Sequence, residues 1–228
     1  MKTVLCDPRA DAVLARLDDE ARKQSPDMRR YYDAKKQQAK RTTDPDSAED
    51  MAFVRDKFVA LDPEKCDLCY MLCRSIKARR VVEFGTSFGV STIYLAAAVR
   101  DTVREDGGDG VVVGTELEPT KAKVANANLA DAGLGQFVDV RVGDARETLK
   151  AVDGPVDFLL LDSWIPLVRP VMDVVAPKLR PGAIVVCDNV QIYEREYADY
   201  TSFVRNPANG FRSVLLSHEG GLEISVKL

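Results

Sequence analysis

Apolar positions along this chain change their period near residue 80. Before that point they recur at helical spacing. Val13, Leu14, Leu17 and Ala21 form one stripe behind Asp7-Pro8, an N-cap residue followed by a proline at the first helical position. Ser25-Pro26 repeats that signal and predicts a second helix, carrying Arg29, Arg30, Lys35, Lys36, Lys40 and Arg41. Thr42-Thr43-Asp44-Pro45-Asp46 reads as a turn, and Ser47 as the cap of a third helix through Phe53, Phe58 and Leu61. Asp62-Pro63 opens a fourth that ends near Lys77.

Beyond residue 80, short apolar runs alternate with helical patterns. Strands are expected at 80–84, 111–116, 137–142, 156–162 and 183–188, with helices near 90–99, 119–132, 145–151 and 166–179. That alternation implies right-handed βαβ crossovers and a parallel sheet covered by helices on both faces. Val156-Asp157-Phe158-Leu159-Leu160-Leu161 is almost continuously apolar, as a central parallel strand should be. A polar helix near 194–206 precedes two more strands, Phe211 to Leu216 and Leu222 to Val226. Ser217-His218-Glu219-Gly220-Gly221 joins them as a hairpin loop.

The 228 residues suit one domain with a substantial core. Residues 1–60 read as a helical extension and 61–228 as the main domain. The 46% hydrophobic and 30% charged fractions are those of a soluble globular protein. No apolar run is long enough to span a bilayer, and Met1 to Pro8 lacks the apolar core of a secretory signal. The expected location is therefore the cytoplasm. A net charge of −4 opposes a dedicated nucleic-acid binder. The basic cluster at 29–41 reads as a solvated face, with an acidic substrate or RNA as the alternative. Five cysteines, an odd number, point to free thiols in a reducing compartment. Cys66, Cys69 and Cys73 share a helix face with Leu72 and Ile76, which reads as a buried face rather than a metal site.

The candidate chemistry centres on Val81-Val82-Glu83-Phe84-Gly85-Thr86-Ser87-Phe88-Gly89-Val90-Ser91-Thr92, a strand, a glycine turn and a helix start. Gly85 and Gly89 permit a close backbone approach, and the free N–H groups of the helix start suit a carboxylate or phosphate. The Gly-x-x-x-Gly spacing departs from the dinucleotide fingerprint and weakens a nicotinamide or flavin reading.

Ligands of open α/β sheets bind outside the carboxyl ends of the strands. Those ends carry Glu83, Gly114-Thr115-Glu116, Gly143-Asp144, Asp162-Ser163-Trp164 and Asp188-Asn189. Glu116 can accept hydrogen bonds from ribose hydroxyls, or sit as an ordinary acid at a helix N-terminus. Asp144 can face an adenine amino group, cap the helix beginning at Ala145, or do both. Asp162, Asp188 and Asn189 make an all-oxygen set suited to magnesium or calcium, with helix capping as the plainer alternative. Trp164 can stack on a base or fill the core. His218, the only histidine, falls in the hairpin loop, where a surface position competes with a catalytic one.

From about residue 47 onward these motifs resemble the metal-dependent class I S-adenosylmethionine (SAM) O-methyltransferases of the catechol and caffeoyl-coenzyme A type. The matching segments are Val82 to Ser91, Thr115-Glu116-Leu117-Glu118-Pro119, Leu161-Asp162-Ser163-Trp164, and Pro181 to Asn189. The resemblance implies a Rossmann-like, seven-stranded, mostly parallel sheet with a C-terminal antiparallel hairpin strand and extra N-terminal helices. It implies a SAM site built from Glu83, Gly85, Ser87, Gly89, Ser91, Glu116, Asp144, Ala145, Asp162 and Trp164. In it, the glycine turn approaches the methionine moiety, Ser91 its carboxylate, Glu116 the ribose, and Asp144 and Trp164 the adenine. Magnesium is implied at Asp162, Asp188 and Asn189, where it would acidify a hydroxyl of a small aromatic acceptor. Related enzymes often pair, so a homodimer is expected. One position departs: where the family carries a lysine base, three residues after Asp162, this chain has Ile165. Two other readings stand beside a small-molecule O-methyltransferase, the first supported by the basic cluster at 29–41 and the second by Ile165. One is a tRNA hydroxy-base methyltransferase of the same fold, and the other a SAM-binding protein without turnover.

Overall fold

The computed structural model describes residues 3–38 and 48–228, and the side chains of these except 35–38 and 48. Seven strands form one sheet: β1 (Arg80–Phe84), β2 (Val111–Glu116), β3 (Val138–Val142), β4 (Val156–Leu161), β5 (Leu179–Asp188), β6 (Phe211–Leu216) and β7 (Leu222–Lys227). Their order is β3-β2-β1-β4-β5-β7-β6. The first five pair in parallel, and β7 runs antiparallel to both β5 and β6. The expected Rossmann-like sheet with its C-terminal hairpin is therefore present. Strand order reverses between β1 and β4, and the crevice above that reversal is where such sheets bind ligands.

Side chains alternate across the pleat, and both faces are covered. Val81, Phe158, Leu160, Ile184 and Val186 are buried on one face against Leu17, Cys69, Cys73 and Leu95. Val82, Leu159, Leu161, Val185 and Cys187 are buried on the other with Val168, Met172, Val175 and Tyr200. The same period of two turns Glu83 and Asp188 toward the first face, which is the origin of the site chemistry below.

The helices are α1 (Pro8–Gln38), α2 (Ala48–Val54), α3 (Pro63–Ser75), α4 (Val90–Asp106), α5 (Pro119–Asp131), α6 (Ala145–Thr148), α7 (Ile165–Val175) and α8 (Ala198–Arg205). Cys66, Cys69 and Cys73 are free, buried thiols on the inner face of α3, as the sequence led us to expect. Among the described residues no helix is long and apolar enough to cross a membrane.

Three expectations need correction. Ser25-Pro26 does not start a new helix, because α1 runs through Pro26. Proline removes one backbone donor, but Arg22, Lys23, Ser25 and Asp27 are all exposed here, so water can satisfy the freed carbonyl. The third helix stops at Val54 rather than reaching Leu61. Phe58 instead stacks on Phe88 with ring centroids 4.1 Å apart, and its N–H donates to the Gln24 side chain at 2.9 Å. The helix expected from 194 begins only at Ala198. Upstream, the N–H groups of Val190, Gln191 and Ile192 are committed to the carbonyls of Gly220 and Gly221 in the hairpin loop. The expected turn at 42–46 and the Ser47 cap lie outside the described residues.

The first half of α1 is fastened to the sheet domain. Asp7 pairs with Arg100 of α4, and Arg9 donates to the Ala130 carbonyl at 2.9 Å. Its second half reaches α2, where Tyr31 stacks on Phe53 at 3.7 Å.

Candidate active site

The glycine turn after β1 is shaped by sterics. Gly85 has φ +110, and a Cβ there would stand 2.0 Å from the Asp162 carbonyl oxygen, so only glycine fits between the ends of β1 and β4. Beneath the turn, fully buried Glu83 accepts hydrogen bonds from Thr86 Oγ1 at 2.9 Å, Ser91 Oγ at 2.6 Å and Thr92 Oγ1 at 2.5 Å. Burial pushes the Glu83 carboxyl up, and the three hydroxyls work against that rise. Glu83 thus pins the turn to the start of α4 from below. Ser91, expected at the cofactor, spends its hydroxyl proton on Glu83.

Above the turn lies a cleft of about 460 Å³. One wall holds Gly85, Ser87, Glu116, Asp144, Ala145 and Trp164. Glu116 is held at both oxygens: Ser87 N–H donates to Oε2 at 2.8 Å and Glu118 N–H to Oε1 at 2.9 Å. Each oxygen keeps a lone pair for a ligand. Asp144 caps α6 through the Arg146 N–H at 2.9 Å, and the Arg146 guanidinium clamps the same carboxylate at 2.6 Å. Those bonds hold its carboxyl below the usual range. Gly89 is the left-handed residue before α4, with φ +91, and shapes the turn without lining the cleft.

The opposite wall comes from outside the motifs. Tyr32 of α1, Met51 and Val54 of α2, Arg55 and Val59 line it, as do Ile165, Tyr193 and Tyr197. Lys121 of α5 ties α5 to the end of α2 by donating to the Val54 carbonyl at 3.0 Å.

Asp162 and Asn189 also line the cleft. Among the described residues the Asp162 carboxylate has no hydrogen-bond or ion-pair partner. Burial raises its carboxyl well above the ordinary range, and the nearby carboxylates Asp188 and Glu83 raise it further. Asp188 is different. Its Oδ1 accepts from Lys65 Nζ at 2.6 Å, with the two side chains 5% and 2% exposed. The same ammonium donates to the Glu219 carbonyl at 2.5 Å and faces Asp62 Oδ2 at 3.2 Å. Burial works to lower the Lys65 ammonium, but Asp188 and Asp62 outweigh it and leave it raised, so it is charged.

The structure thus gathers Gly85, Ser87, Glu116, Asp144, Ala145, Asp162, Trp164 and Asn189 around one cleft. Glu83 and Ser91 lie under it, and Asp188 is turned toward α3. His218 is exposed in the hairpin loop and does not line the cleft. Lys65 escaped the sequence reading. Its signal was a lysine at a position where α3 is otherwise apolar, one turn before Cys69.

Comparison with known proteins agrees with this geometry. A family described as a methyltransferase domain matches residues 82–190. A catechol O-methyltransferase of Mycobacterium tuberculosis is 36% identical over 133 residues, 58% of this chain and 57% of that one. The O-methyltransferase TomG from Streptomyces achromogenes, solved in complex with SAM, superposes with a TM-score of 0.66. It is 25% identical, with 74% of this chain and 81% of that chain covered. Cofactor-bound Rv0187 from MTB superposes with a TM-score of 0.67 at 26% identity, covering 77% and 85%. The resemblance to the catechol and caffeoyl-coenzyme A type is borne out at the level of the methyltransferase domain. The chain spans 57% and 58% of the length of two curated catechol O-methyltransferases it matches.

Proposed function

We propose that the protein is a SAM-dependent O-methyltransferase that methylates a hydroxyl of a small aromatic acceptor, catechol-like or similar. The observation that carries the cofactor half is Glu116. A carboxylate fixed at both oxygens by backbone N–H groups, beside a glycine turn that excludes a Cβ, is a preorganised seat for a ribose diol. Trp164 and Ala145 offer apolar surface for a base on the same wall. SAM, when bound, supplies an electrophilic methyl group. The aromatic and aliphatic wall of Tyr32, Met51, Val54, Tyr193 and Tyr197 suits a flat apolar acceptor, and the names of the curated relatives favour a catechol.

The residues do the rest by position. The acceptor ring lies against the helical wall, and its hydroxyl meets Asp162, which has no partner among the described residues and whose carboxyl pKa is pushed up to about 8; in its ionised form this group accepts the proton as the oxygen attacks the methyl group. Holding both reactants in one water-poor cleft turns a bimolecular step into an effectively unimolecular one. Ile165 removes the lysine base of the resembled family, so this task falls to Asp162. Magnesium does not fit the donor set, because Asp188 and the Glu219 carbonyl are already taken up by Lys65. The test is incubation of the full chain with SAM and a panel of catechols and isolated phenols. A methyl ether of a vicinal dihydroxy ring is the expected product. Binding of SAM without transfer to any member would replace this reading with that of a cofactor-binding protein.

A further inference from the structure

The three acceptors around Lys65 are each contributed by a different part of the chain. Asp62 precedes α3, Asp188 ends β5, and Glu219 belongs to the hairpin loop between β6 and β7. An ammonium has three N–H donors and no acceptor, so all three donors are matched. Asp188 also accepts the backbone N–H of Asn189. Its carboxylate is therefore already held by two donors of the protein itself, one of them a buried cation on Oδ1. The loop that receives Lys65 is packed tightly: a Cβ on Gly220 would come within 2.9 Å of Asn189 Oδ1, and one on Gly221 within 2.3 Å of the Gln191 Cβ.

We infer that the Lys65 ammonium is the resident cation of this acceptor site, holding Asp188, the hairpin loop and cleft-lining Asn189 in the place where the resembled family uses a divalent ion. This rests on the O-methyltransferase reading above. A divalent ion needs oxygen ligands at close range and tolerates no like charge among them. To reach Asp188 Oδ1 it would have to expel an ammonium hydrogen-bonded at 2.6 Å. Lys65 does not line the cleft, so it is a positioning residue. It fixes the Asp188 carboxylate near Asp162 and neutralises it.

The test is manganese binding to the chelator-treated full chain, read by electron paramagnetic resonance without SAM. Binding of S-adenosylhomocysteine is measured separately by calorimetry. The wild-type chain is expected to take up no stoichiometric manganese. Lys65→Ala opens a cation-sized gap among three oxygens, and one manganese per chain is expected, at least about tenfold tighter than wild type. Adding Asp188→Asn should erase that gain. Lys65→Gln, one bond shorter and uncharged, carries the test if the alanine variant does not fold. Stoichiometric wild-type manganese that Asp188→Asn removes would overturn the inference, as would a folded Lys65 variant with unchanged manganese affinity. A wild-type chain that ignores S-adenosylhomocysteine would sink the cofactor reading alone, because the manganese measurement does not depend on it.

Discussion

The two sides of the cleft are built differently. The cofactor side comes from strand ends and the turns just after them, where Gly85, Ser87, Glu116 and Asp144 each follow a recognisable apolar run. The acceptor side is assembled from α1, α2, the loop at 55–59 and the stretch after β5, and it is braced from behind by an ion pair spanning 123 residues. Local backbone geometry dictates the first, and long-range packing dictates the second. A change on the cofactor side should therefore act on one ligand, whereas a change behind the acceptor side should act on the fold as well.

The sharpest break in that comparison is Lys65. Replacing it with methionine leaves a buried Asp188 carboxylate, 5% exposed, without its countercharge. Breaking one partner of such a pair costs about 3–5 kcal/mol. Chemical denaturation of Lys65→Met should show a loss of that size. The double variant Lys65→Met with Asp188→Leu should recover most of it, since an apolar pair of similar volume avoids the desolvation penalty. A double-variant loss equal to the sum of the Lys65→Met and Asp188→Leu losses would mean that the two charges are not coupled.

The positions of the strands and the parallel pairing of the first five were legible because the apolar runs are long and the alternation is regular. Glu116 was legible because it ends the strand paired with β1: Glu118, two residues on, and Ser87, in the turn after β1, reach it through backbone N–H groups that any residue would supply. The continuity of α1 through Pro26 was not legible, because local rules count a lost donor without knowing that the freed carbonyl faces water. The pairing of Asp188 was not legible either. Three oxygens at adjacent strand ends read as a cation site, and in charge terms that was sound. The cation that meets Asp188 belongs to a helix far upstream, and nothing in the spacing of the acids announces it.

Asp162 sharpens the comparison from the acceptor side. Asn at this position keeps the volume and one acceptor oxygen but cannot take a proton. Asp162→Asn should lower kcat by about a hundredfold or more, within the usual worth of a positioned base. Affinity for S-adenosylhomocysteine and thermal stability should stay close to wild type, because the wild-type carboxylate has no partner to lose among the described residues. A variant that folds, binds the product and still turns over at the wild-type rate would remove Asp162 from the chemistry.

Glu116 gives the smallest expected effect and the cleanest separation of the two sides. Its carboxylate is doubly anchored at 2.8 and 2.9 Å, so its orientation does not depend on the ligand. Glutamine has one acceptor oxygen where glutamate has two, and the amide must turn a donor toward either the Ser87 or the Glu118 N–H. One anchor is lost, together with one charge-assisted bond to a diol. A hydrogen bond to a charged group is worth about 1.5–3 kcal/mol, of which backbone relaxation and water return a part. Glu116→Gln should therefore weaken SAM and S-adenosylhomocysteine by about tenfold, near 1.4 kcal/mol. At saturating SAM, kcat and the KM for the acceptor should barely move, because the acceptor wall shares no side chain with this carboxylate. A loss that appeared in kcat instead would mean that the two sides of the cleft are mechanically joined, with Lys121, which donates to the Val54 carbonyl at 3.0 Å, as the connection to examine first.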